Sequence, residues 1–365
     1  MFREDFVWGV ASSAYQVEGT DAADGRGACV WDMFAADGRV FEHQNADTSC
    51  DHMHHYKEDI ALMKHLGIRA YRFSLNWARI LPEGTGRVNE KAIAMYRDMI
   101  LTMKENGITP YLTLFHWEFP QALYERGGWQ NPDVVQWFGE YAKVVAENFS
   151  DICEYFITIN EPQCVVGLGH LSGVHAPGVK LPVAQTFLVA HHLLMAHGQA
   201  VINLHRYAVR PVKIGFAPTG GVAYPYTDRP EDIEAAKKVY FGFYNPIDNW
   251  TWNVSWFSDP VFLGHYPAEG LKKFAPYLPE ITQEPHLVFI CRIVIPETFT
   301  PITGSHFATR RSTSRFNSFF LRAISAASSS LFSERRSPAS LYFCRYFRIH
   351  SIRSPANATI RASLI

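Results

Sequence analysis

The chain has 365 residues, 47% of them apolar and 19% charged, with a formal net charge of −1. That is enough apolar material for one large α/β barrel or two smaller domains, and no apolar run reaches the roughly 18–20 residues that a membrane helix needs. Six cysteines without CxxC spacing, and a start at Met1-Phe2-Arg3-Glu4-Asp5 without an apolar leader, predict a reduced cytoplasmic setting with free thiols.

The predicted elements alternate over residues 1–284. A strand over Phe6–Ser12 runs into the small-residue turn Ser13-Ala14, followed by Tyr15-Gln16-Val17-Glu18-Gly19-Thr20. Gln16 offers a donor pair and an acceptor, which suits two vicinal hydroxyls, though by itself it is an ordinary turn residue. His52-Met53-His54-His55 opens a helix. Its spacing gives no closed ligand set, so no metal site is expected. The helix is read over Tyr56–Leu66, where Tyr56, Ile60, Met63 and Leu66 recur at steps of three and four and Gly67 stops it.

The strand Ala70–Leu75 carries Arg72. A guanidinium inside a strand is costly to bury unless a carboxylate pairs with it, so a buried acid is expected beside it. A helix over Ala92–Asn106 ends at Gly107, and the strand Thr109–Phe115 leads into His116-Trp117-Glu118-Phe119-Pro120. An imidazole and an indole at the mouth of a strand can bond a hydroxyl and line a sugar face. They can equally be a core histidine beside a core tryptophan. Asn131-Pro132 opens a helix over Asp133–Phe149.

The strand Cys153–Ile159 ends in Asn160-Glu161-Pro162. Pro162 keeps Glu161 out of helical geometry and predicts an extended residue there. A carboxyl so held can protonate a leaving oxygen and then deprotonate water, which is half of what glycosidic cleavage needs. Pro182 opens a long helix over Val183–Tyr207, in which His191, His192 and His197 read as structural, and a fifth strand covers Val212–Pro218. The repeating strand–helix order predicts a parallel sheet with crossover helices. The spacing suits a (β/α)₈ barrel with long loops. A doubly wound sheet is the alternative, but no Gly-rich phosphate loop follows any strand.

After Glu284 the texture changes. Residues 285–365 hold 11 Arg and 14 Ser with no Lys, Asp or Trp, one Gly and two acids, Glu297 and Glu334. A change from mixed charges to Arg and Ser alone is the texture of translation in a wrong frame. The stretch is therefore expected to be a frameshift product rather than a basic tail for nucleic acid or membrane. His286–Ile295 is apolar enough for a strand, and the rest reads as filler.

Taken together, Phe6–Thr20, Arg72, His116-Trp117 and Thr158-Ile159-Asn160-Glu161-Pro162 resemble glycoside hydrolase family 1, the β-glucosidase family, from Phe2 to about Glu284. The resemblance implies an α/β (β/α)₈ TIM barrel and cofactor-free hydrolysis with retention of configuration at a terminal β-linked glucose or related sugar. It implies Glu161 as acid/base, with Gln16, His116 and Asn160 binding the sugar, Trp117 shaping the subsite and Arg72 near the nucleophile.

The sequence departs from the family in lacking its Thr-Glu-Asn-Gly nucleophile segment and its late sugar-binding segment. The expectation is thus a truncated barrel of about five of eight βα units over 1–284, inactive as written, followed by an unrelated stretch over 285–365. The alternative is a non-catalytic carbohydrate-binding remnant. Expected partners are a β-glycoside or oligosaccharide, with no nucleic acid and no membrane. Glucoside against galactoside or 6-phosphoglycoside, the aglycone and the oligomeric state stay open.

Overall fold

A computed structural model describes residues 6–20 and 24–279, and the backbone of 347–352 and 359–364. Five strands form one parallel sheet: β1 (Gly9–Ala11), β2 (Ala70–Ser74), β3 (Thr109–Phe115), β4 (Tyr155–Asn160) and β5 (Lys213–Ala217). Their spatial order is their chain order. A doubly wound sheet reverses strand order at a switch point, whereas a barrel does not, so this sheet is an arc of a (β/α)₈ barrel holding five of its eight strands. β2, β3 and β4 are buried along almost their whole length, as strands covered on both faces must be.

Between the strands run helices His52–His65, Glu90–Glu105, Val134–Phe149 and Val183–Tyr207, close to the predicted spans. The apolar stripe decides how each one packs. In Glu90–Glu105 the buried residues Ile93, Tyr96, Ile100 and Met103 recur at three and four, and Asn89 caps the first turn through its side chain. Val134–Phe149 lies against Val183–Tyr207, where Asn203 Nδ2 donates to the Gly139 carbonyl at 2.7 Å.

Under the end of β3, Trp77 stacks on Tyr141 with ring centroids 5.0 Å apart, and Tyr141 Oη donates to the Leu114 carbonyl at 3.0 Å. Phe119, Trp129 and Phe138 extend that aromatic layer.

β3 has the expected limits, β2 and β5 differ from theirs by one residue at one or both ends, and β1 and β4 differ by more. β1 is only three residues long, its residues Gly9, Val10 and Ala11 paired with Ala70, Tyr71 and Arg72, and Gly9 passes closest to its partner. A Cβ on Gly9 would meet the Ala70 carbonyl oxygen at 2.8 Å. β4 begins two residues late, since the Cys153 amide still donates to the Phe149 carbonyl at the helix exit, and it runs on to include Asn160.

The chain divides into the units Met1–Pro296 and Glu297–Ile365. Within the second, Phe347–Ile352 and Thr359–Leu364 form an antiparallel pair. Composition alone did not predict it, although both segments alternate apolar and polar residues in part. The predicted strand His286–Ile295 lies outside the described residues.

Candidate active site

His116, Trp117, Asn160 and Glu161 sit at the carboxyl ends of β3 and β4, the end at which α/β sheets and barrels carry their sites, while Arg72 lies in the middle of β2. Asn160, the last residue of β4, is the hub. Its Oδ1 accepts from Arg72 Nη2 at 2.5 Å, and Arg72 Nε in turn donates to Thr113 Oγ1 at 2.9 Å. With Oδ1 engaged by a guanidinium, the Asn160 amide nitrogen donates to His116 Nε2 at 3.1 Å. The Asn160 carbonyl accepts from Trp117 Nε1 at 3.0 Å. Three strands are thereby locked together through one carboxamide.

Burial, and then the charge of Arg72, hold His116 well below the usual imidazole range, so the ring is neutral. Since Nε2 accepts, the proton lies on Nδ1, which is buried without a partner among the described residues. A buried imidazole N–H with nothing to bond is an unsatisfied donor.

Glu161 follows directly. Its amide donates to the Ala217 carbonyl of β5 at 2.7 Å, and the register of β4 against β5 shifts between Ile157 and Asn160. Its φ of 44° and ψ of 65° are left-handed, not the extended geometry expected before Pro162. Proline forbids the right-handed helical well at the preceding residue but does not choose among the others, and the hydrogen bond to β5 makes the choice.

Trp117 has φ 84°. Trp117 and Glu161 are two of the six described non-glycine residues with positive φ, a geometry that costs roughly 1–3 kcal/mol each. Burial raises the Glu161 carboxyl above its usual value, against the opposing pull of a hydrogen bond from Cys164 Sγ at 3.2 Å and of the Arg72 charge. Among the described residues no second carboxyl contributes to that shift.

Arg72 departs from expectation. No carboxylate pairs with it among the described residues. Asn160 and Thr113 hold it instead, and burial pushes its pKa down to about 10 while the Glu161 charge pulls the other way. A guanidinium can be held by neutral acceptors when each faces a separate N–H.

Gln16 lies exposed on the short helix Ala14–Val17, and no hydrogen bond joins its side chain to the Asn160 network among the described residues. Its turn is tied to the site through the backbone. The Ala14 amide donates to Ser74 Oγ at 2.7 Å, and the Tyr15 amide donates to Glu118 Oε1 at 2.9 Å.

Sequence reasoning missed two residues here. Glu118 is 1% exposed, its Oε2 has no partner among the described residues, and burial pushes it up to about 8. His175 lies between Trp117 and Trp31, with centroids at 5.5 and 5.4 Å, in a small cavity also lined by Cys164, Val165 and His170. Only the π-type turn Val165–Leu171 hints at function in that stretch, and it shows in the fold, not in the sequence.

The other histidines that the sequence drew attention to have partners away from this network. His191 meets Tyr266 Oη, His192 meets the Trp129 carbonyl and His197 meets Thr158 Oγ1. His52 pairs with Asp59, His54 with Asp51 and His55 with Glu58. Among the described residues no three His, Cys, Asp or Glu side chains stand together as metal ligands, and no helix is long and apolar enough to cross a membrane.

The sequence model of Glycosyl hydrolase family 1 matches residues 1–290. Beta-glucosidase A of Thermotoga maritima is 43% identical over 280 residues, which cover 76% of this chain and 60% of that protein. Beta-glucosidase A of Acetivibrio thermocellus is 42% identical over 274 residues, covering 75% and 58%. The solved structure of the Thermotoga maritima beta-glucosidase in complex with glucoimidazole superposes with a TM-score of 0.71 at 40% identity, over 80% of this chain and 63% of that one. The chain thus spans about 60% of the length of the curated relatives it matches.

Proposed function

The chain belongs to glycosyl hydrolase family 1, and on that footing we propose that its site is that of a retaining β-glucosidase, acting on a terminal β-linked glucose or related sugar without a cofactor. The observation that carries the reading is Asn160, bonded at once to Arg72, His116 and Trp117, next to a carboxyl that burial keeps ready to hold a proton. Glu161 protonates the leaving oxygen and afterwards takes a proton from water. His116 Nδ1–H meets a sugar hydroxyl. Asn160 holds the hydroxyl beside the scissile bond, Gln16 two vicinal hydroxyls, and Trp117 the apolar sugar face. Arg72 keeps Asn160 in register.

A retaining enzyme needs a second carboxyl about 5–5.5 Å from the first. The printed sequence contains no Thr-Glu-Asn-Gly segment, and among the described residues no second carboxyl contributes to the shift of Glu161. We therefore propose that the chain as written forms no covalent intermediate and turns over slower by a factor on the order of 10⁴–10⁶. We also propose that residues 285–365 are a frameshift product following the family part at 1–284, and that the protein is cytoplasmic. Pure protein and 4-nitrophenyl β-D-glucoside decide the point about turnover. Hydrolysis at ordinary glycosidase rates, abolished in Glu161→Gln, overturns the inactive reading. Resequencing codons 275–365 tests the frameshift.

The second reading, a carbohydrate-binding remnant, draws on the same network. It is built from β2, β3 and β4 alone, and its polar partners are already in place. Calorimetric binding of glucose with no product from glucosides selects it.

A further inference from the structure

We infer that Glu118 is a positioning residue of this site: its buried side chain joins the turn carrying Gln16 to the turn carrying His116 and Trp117. The inference rests on the sugar-site reading above for its consequence, but not for its geometry.

The two turns leave different strands. Gln16 follows β1, and His116 and Trp117 follow β3, with β2 between them. Nothing in the sheet ladder fixes one turn against the other. Glu118 does so by accepting the Tyr15 amide at 2.9 Å across 103 residues of chain. It is placed to do so because Trp117 takes a left-handed backbone and the Phe119 amide closes back on the Trp117 carbonyl at 2.9 Å, which turns Glu118 inward. The next contacts reinforce the join. The Phe119 carbonyl accepts from the Val30 amide, and Tyr15 packs on Trp31 with centroids 5.9 Å apart.

A carboxyl in that position is costly, and an apolar side chain would remove the cost. It would also leave the Tyr15 amide unbonded. The charged and titratable groups facing Glu118 are Arg26, Glu18, Cys29, Tyr15 and Tyr141. Arg26 is engaged with Asp32 at 2.8 Å, and no side chain forms an ion pair with Glu118 among the described residues. Burial raises the carboxyl, while the bond from the Tyr15 amide favours its charged form. A carboxylate is the stronger acceptor, so the tether tightens when Glu118 loses its proton.

The test compares wild type with Glu118→Gln, which keeps the acceptor and cannot ionise, and Glu118→Met, which keeps the length and removes the acceptor. Amide exchange of the segment 14–17 is read without sugar, and the Kd of 1-deoxynojirimycin is read by calorimetry. The expected result is a tenfold or greater rise in exchange and in Kd for Glu118→Met, with both near wild type in Glu118→Gln at pH 7. Unchanged exchange in folded Glu118→Met overturns the tether. If wild type binds no iminosugar, the sugar-site reading fails, and the exchange arm still decides the tether.

If Glu118→Met does not fold, the pH series decides. Wild-type exchange at 14–17, corrected for its intrinsic base catalysis, falls between pH 7 and 9 while that of Glu118→Gln does not. Identical corrected exchange in the two overturns the inference.

Discussion

The indole of Trp117 donates to the carbonyl of Asn160 at 3.0 Å, and each lies beside or upon a left-handed residue: Trp117 itself and Glu161. Two strained turns from neighbouring strands thus meet in one hydrogen bond. Strain at one is held by the other, which is how a site keeps unfavourable backbone geometry without a ligand.

Trp117→Phe removes that donor and keeps the ring. The Asn160 carbonyl then loses a buried partner, at a cost of about 1–3 kcal/mol. A lower denaturation midpoint with weakened sugar binding is the expected outcome, read by chemical unfolding and calorimetry. A variant as stable as wild type would show that the two turns stand independently.

Glu161 should make the fold less stable as pH rises. Its folded value lies above the ordinary 4.5, so between these two values the native state holds a proton that the unfolded chain has lost. The stabilisation is complete below pH 4.5 and disappears as pH passes through the folded value. Glu161→Gln, which cannot ionise, should flatten that part of the stability curve. In Arg72→Met the ¹³C titration midpoint of the Glu161 carboxyl should move up, because a cation that favours its charged form has gone. A downward move would show that Arg72 acts on Glu161 by other means.

Arg79 is 1% exposed and is bound by Glu18 at 3.1 Å, by Asp24 and by the Gly19 carbonyl, while Tyr96 Oη donates to the other Glu18 oxygen at 2.7 Å. Arg79→Met leaves the Glu18 carboxylate buried without its cation, costing about 3–5 kcal/mol. Guanidinium unfolding measures it. In the double variant Arg79→Met, Glu18→Leu much of the loss should return, since the buried Glu18 charge is gone and the remaining partner, Asp24, is partly exposed to water.

Gly27→Ala should destabilise without touching any charge. A Cβ there would stand 2.0 Å from the Pro82 carbonyl oxygen, a backbone atom that cannot swing aside. The expected cost is about 1–3 kcal/mol, seen as a lower Tm.

The strands were legible because parallel strands buried on both faces spell continuous apolar runs, as in Thr109–Phe115. The polar residues at their ends stood out by contrast. What the sequence hid is long-range. A carboxylate between Trp117 and Phe119 reads as a solvent-facing residue until the Tyr15 amide is seen to need it. His175 meets Trp117 across a loop with no period. Pro162 excludes one backbone well at Glu161, and only the β5 hydrogen bond selects among the rest. Arg72 was paired in anticipation with an acid because charge usually seeks charge, and two neutral acceptors at the right angles serve instead.

The sequential order of the strands also bears on synthesis. Each new strand pairs only with the one before it, 39 to 61 residues upstream. By the time β3 leaves the ribosome, β2 is already outside and waiting. At about 5–20 residues per second the interval between successive partners is a few seconds, long compared with helix formation or loop closure. The sheet can therefore grow in the direction of translation, and the polar cluster around Asn160 assembles only when β4 docks, after Arg72 and His116 are already in place to receive it.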